Sequence, residues 1–105
     1  EAILTPADVA EFRMYLDRRD AKGFATKLVN MFAPGIKKHT SYNYKSLVAK
    51  LVEAYLRNNI PTDNLTGEEL LKYVPEITLK RKTASKTLAN LVVSVIKAVK
   101  EQQEG

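Results

Sequence analysis

Apolar residues recur along this chain at helical spacing. Tyr44, Leu47, Val48, Leu51, Val52, Tyr55 and Leu56 follow i, i+3, i+4, i+7, i+8, i+11 and i+12. That is the stripe along one face of a 3.6-residue helix, and an alternating strand does not produce it. The spacing predicts a long core helix from Thr40 to about Asn59. Thr40 or Ser41 supplies the N-cap, and Asn58, Asn59 and Pro61 end the run, since proline donates no hydrogen bond to a continuing helix. Such a helix is about 25 Å long at 1.5 Å per residue, enough to span a small domain. Its far face carries Tyr42, Ser46, Ala49, Lys50, Glu53 and Arg57. A second stripe of the same period, Leu88, Leu91, Val92, Val95, Ile96 and Val99, predicts a last helix over about Thr83 to Gln102. Lys86, Asn90, Ser94 and Lys97 lie opposite that stripe, and the two matched helices are expected to pack together.

The flanking segments carry stop and start signals. Thr5 is a good N-cap, Pro6 suits the first helical position, and Asp8 falls where the positive end of the helix dipole favours a carboxylate. Val9, Phe12 and Leu16 form the inner stripe of this first helix, expected to run to about Asp20. Asp20-Ala21-Lys22-Gly23 weakens it, and Phe24, Leu28, Met31 and Phe32 continue the pattern until Ala33-Pro34-Gly35. One kinked helix and two separate helices both fit this stretch. Farther on, Thr66-Gly67-Glu68-Glu69 has capping-box spacing, with Leu65 and Leu70 at the positions of a hydrophobic staple. A short structural helix over about Gly67 to Val74 follows. The fold expected is all-α, a compact bundle of four to five helices, and 105 residues make one domain.

Composition narrows the chemistry. The absence of cysteine removes disulfides and thiolate metal sites, leaving packing to hold the fold. No apolar run approaches the roughly 18 residues that cross a bilayer, so a cytoplasmic, nucleoid or nuclear location is expected, without a membrane. The chain opens at Glu1 without Met, as a processed protein or a piece of a longer one would. A catalytic reading lacks parts: there is a single histidine, no Gly-rich phosphate loop, and no carboxylate pair beside a base. Glu68 and Glu69 belong to the capping pattern, and His39 reads as a solvated linker residue. No enzyme activity of its own, no metal, no cofactor and no small-molecule ligand are expected.

The net charge of +5 is unevenly spread. Basic and acidic groups number five and five over residues 1 to 32, five and one over 33 to 60, one and four over 61 to 77, and six and two over 78 to 105. Each excess of positive charge surrounds the start of a long amphipathic helix. A protein that docks on phosphates places its charge in this way.

The order of these parts resembles a known family. A first helix, a basic turn, a long helix opening with Thr40, Asn43, Tyr44 and Ser46, an acidic N-L-T-G-E-E-L-L stretch, and a last helix opening S-K-T-L (Ser85 to Leu88) together are similar to the core-binding, SAM-like domain of tyrosine recombinases, the phage-integrase family. The resemblance covers about residues 5 to 101 and rests on order and spacing. It implies a domain that forms half of a clamp on duplex DNA. DNA-facing positions would be Lys37, Lys38, His39, Thr40, Ser41 and Lys45 at the central helix, and Lys82, Thr83, Lys86, Thr87 and Asn90 at the last. Lysines would hold phosphates, while Asn90 or Lys86 would reach base edges. The family's catalytic domain has no counterpart here, so no strand cleavage is implied. The alternative is a protein-interaction or regulatory bundle, in which the basic blocks meet an acidic partner and Tyr42 and Val93 act as exposed anchors.

Overall fold

The computed structural model describes residues 4–75 and 82–104, with side chains described over 4–75 and 85–101. The described residues form an all-α domain of helices α1 (Pro6–Asp17), α2 (Ala21–Phe32), α3 (Lys38–Arg57), α4 (Gly67–Leu71) and α5 (Lys82–Glu104). Among the described residues no helix is long and apolar enough to cross a membrane.

Thr5 starts α1 with a full capping box. Its hydroxyl oxygen accepts from the Asp8 N–H at 3.1 Å, and the Asp8 carboxylate accepts from the Thr5 N–H at 3.4 Å, so two otherwise unpaired donors are satisfied together. The helix ends at Asp17, one turn short of the expected Asp20. Arg19 turns left-handed at φ 56°, and the Asp20 and Arg19 N–H groups donate to the carbonyls of Tyr15 and Leu16, closing a Schellman cap. Asp20 is thereby freed to cap the next helix, its carboxylate accepting from the Gly23 N–H at 3.0 Å. The ambiguous stretch is therefore two helices.

These two helices run antiparallel. The Lys27 ammonium on α2 reaches Asp8 at 3.1 Å and Glu11 at 3.0 Å on α1, and the Phe12 and Phe24 rings meet with centroids 4.8 Å apart. A Cβ on Gly23 would sit 2.7 Å from the Tyr15 ring, so glycine permits this close approach.

α3 begins two residues earlier than the apolar pattern indicated. Lys37 is the N-cap and makes no side-chain capping bond, so Thr40 and Ser41 lie inside the first turn and cap nothing. The stripe is buried from Val48 to Tyr55, whereas Tyr44, Leu47 and Leu56 are half-buried. Asn59 at φ 50° forms a second Schellman cap, with Ile60 and Asn59 donating to Tyr55 and Leu56 carbonyls.

α4 stops at Leu71, short of Val74, and only half of its capping box forms. The Glu69 N–H donates to the Thr66 hydroxyl at 3.2 Å, but the Glu69 carboxylate is taken by Lys72 at 3.0 Å. Both staple leucines, Leu65 and Leu70, are buried.

The stripe of α5 is buried except for half-buried Leu91. Ser85, Ala89 and Val93 are buried as well, because α1, α3 and α4 all pack on this helix. Val93, expected as an exposed anchor, is a core residue. Tyr42 is 73% exposed, as its place on the far face of α3 required.

Candidate nucleic-acid interface

Two grooves fix the direction of α5. Thr87, Asn90, Leu91 and Ser94 lie beside Leu4 and Phe32, which flank the start of α1 and the end of α2. Val99 and Lys100 lie beside Leu16, Tyr55 and Leu56, at the ends of α1 and α3. Hence α5 runs in the same sense as α1 and α3.

At the start of α3, Lys37, Lys38 and His39 are exposed, and Thr40, Ser41 and Lys45 are half-buried. Among the described residues no carboxylate lies within 4 Å of Lys37, Lys38, His39 or Lys45, while Lys27, Lys72 and Lys86 are all ion-paired. The first turn of α3 contains no acidic residue and has no side-chain cap. Basic side chains therefore surround a helix end whose own N–H groups are open, an arrangement that attracts anions. The first turn is apolar nowhere except Ile36 just before it, and this explains why apolar periodicity misses its first two residues.

The basic surface continues along α3. Lys45 and Lys50 line a groove of about 470 Å³ with Tyr42, Ser46, Glu53 and, from α2, Lys22 and Thr26. Lys22 was not among the residues singled out by sequence. Its only signal is the antiparallel register of α2 and α3, which a single chain of letters does not reveal.

The start of α5 is differently placed. Side chains of Lys82 and Thr83 lie outside the described residues. Lys86 is exposed but bridges to Glu68 on α4 at 3.4 Å. Thr87 and Asn90 are exposed and line the groove that also holds Leu4, Phe32 and Leu91. Asn90 packs over Gly67: a Cβ there would collide with its amide oxygen and stand 2.8 Å from its backbone nitrogen. The acidic helix α4 is packed directly against α5.

Nearby ionisation follows these contacts. The Lys72 ammonium donates to the Glu69 carboxylate, and this hydrogen bond holds its pKa above the ordinary value. Comparison with family models, curated proteins and solved structures finds no match.

Proposed function

We propose that this protein is a duplex-DNA-binding helical module, gripping phosphates with the start of α3 and the basic groove behind it. The observation that carries this reading is the set Lys37, Lys38 and His39, exposed around an uncapped helix start with no carboxylate within 4 Å among the described residues. Lys45, Lys50 and Lys22 extend the same surface. Lysines here neutralise phosphates and set affinity, and release of DNA counterions drives association. The start of α5 offers a second contact, in which Lys86 contributes less because Glu68 shares its charge.

The resemblance to the core-binding domain of tyrosine recombinases supports the same assignment and gives it a context in DNA recombination or integration, in the cytoplasm or at the nucleoid or nucleus. The module has no cleavage activity by itself under this reading.

A salt-dependent titration on duplex DNA tests it. With about four to six phosphates neutralised, log K against log salt has a slope of roughly −4 to −5, and Lys38→Ala lowers its magnitude by about 1 without loss of stability. Absence of binding at low salt would reject the reading. It would favour a protein partner instead, for which exposed Tyr42 and the mixed-sign contact of Glu68 with Lys86 are the specific observations.

A further inference from the structure

We propose that the cleft between the C-terminal ends of α1 and α3 and the last turns of α5 binds a small organic anion, a carboxylate or phosphate carried on a short apolar body. The cleft measures about 280 Å³ and is lined by Arg13, Arg19, Lys100 and Tyr55 on its polar side and by residues such as Leu16 and Ile60 on its apolar side. That is near the lower limit of small-ligand sites, which combine an apolar wall with a few convergent polar groups.

The cleft holds more donors than acceptors. The Schellman caps that border it have their carbonyls occupied: Tyr15 and Leu16 accept from Asp20 and Arg19, and Tyr55 and Leu56 from Ile60 and Asn59. The Leu56 carbonyl also takes the Arg19 guanidinium at 2.9 Å. No acceptor among the described residues holds Arg13, and its Nε is buried without a partner. A buried donor of this kind is costly unless something answers it. Burial holds the Tyr55 phenol above its ordinary pKa, so it keeps its O–H as a further donor at neutral pH.

Charge agrees with the donor surplus. Asp17 lines the cleft too, yet no described carboxylate comes within 4 Å of Arg13, Arg19 or Lys100. The ends of α1 and α3 contribute roughly half a negative charge each. With Asp17 they leave three cations incompletely neutralised, and the cleft stays net positive. An arginine presents a planar fork to a carboxylate or phosphate, and Leu16 and Ile60 would cover the ligand's apolar end.

The intact chain is titrated with hexyl phosphate, hexanoate and inorganic phosphate, followed by the amide NMR spectrum. Saturable shifts are expected at Arg13, Arg19, Asn59 and Lys100 with hexyl phosphate or hexanoate, and the headgroup preference follows from which of the two binds more tightly. Arg13→Gln is expected to weaken binding by about tenfold or more. If that variant does not fold, exposed Lys100→Gln carries the test with a loss of about threefold. Lys38→Ala should leave binding of these probes unchanged, which separates this cleft from the phosphate surface at α3. No saturable shift at these amides, shifts scattered over the exposed lysines, or unchanged affinity in Arg13→Gln and Lys100→Gln would overturn the proposal. Inorganic phosphate binding as tightly as hexyl phosphate would overturn its apolar half.

Discussion

The Lys86 ammonium lies 3.4 Å from the Glu68 carboxylate, joining the basic start of α5 to the acidic helix α4. The pair joins an element of the −3 segment, residues 61 to 77, to one of the +4 segment, residues 78 to 105. Both side chains are well exposed, so solvent and salt screen the contact. Its contribution to folding is therefore small.

For DNA binding, Lys86→Ala should lower the salt slope by less than the change of about 1 expected for Lys38→Ala, because its charge is already shared. Glu68→Gln should raise affinity for duplex DNA at low salt and leave thermal stability nearly unchanged. A wild-type slope for Lys86→Ala, with Glu68→Gln silent, would remove α5 from the interface.

Gly67→Ala should destabilise the fold by about 1 to 3 kcal/mol through overpacking. The new methyl would collide with the Asn90 amide and stand 2.8 Å from Asn90 backbone nitrogen, so α4 must move away from α5. Urea unfolding measures the change, and a variant as stable as wild type would mean that the two helices slide apart at no cost.

Leu51 and Val95 are both wholly buried in the core shared by α3 and α5. Leu51→Ala is expected to cost about 2 to 4 kcal/mol, and Val95→Ala somewhat less, through the cavities left behind. Urea unfolding is again the measurement; a loss of only a few tenths of a kcal/mol would show that the site collapses around the smaller residue.

Acid should unlock the contact between α1 and α2. The Asp8 carboxyl is held below its ordinary pKa of 3.8, chiefly by the Lys27 hydrogen bond and then by Thr5. A carboxyl with a depressed folded-state pKa contributes stability above its unfolded value and loses it as pH falls through the lower folded value. Asp8→Asn should therefore be less stable than wild type at neutral pH, with the difference shrinking below about pH 4. For Lys27 the burial that lowers its pKa is outweighed by Glu11 and Asp8, leaving it above 10.5. The stability contributed by that raised pKa is present below 10.5 and lost as pH rises through the higher folded value. Parallel denaturation series at several pH values check both limbs.

Much of the fold was legible locally. The period of the stripes at Val48 to Tyr55 and Leu88 to Val99 identifies long helices because an amphipathic helix must bury one face, whatever it packs against. Thr5 and Thr66 mark starts because backbone N–H groups at a helix end need an acceptor. The boundary at Lys37 was not legible, since α3 opens with a turn that has neither a capping side chain nor an apolar stripe. The break at Arg19 was ambiguous because its left-handed backbone belongs to a residue type that does not advertise it.

The candidate site divides in the same way. Lys37, Lys38, His39 and Lys45 are adjacent in sequence and share one helix, so their clustering follows from helical geometry alone. Glu68 beside Lys86, Asn90 over Gly67, Lys22 across from Lys45 and Lys50, and the meeting of Arg13 and Arg19 with Lys100 all depend on helices distant in the chain being pressed together. Val93 shows the reason most directly. Period and composition assign it to the outer face of an isolated two-helix packing, but α1, α3 and α4 all lie against α5, and a helix enclosed on several sides buries more than one stripe. The sequence by itself determined which segments are helical and where charge concentrates; only the tertiary structure decided which faces are covered and which charges meet, because packing is chosen by the whole set of apolar surfaces at once.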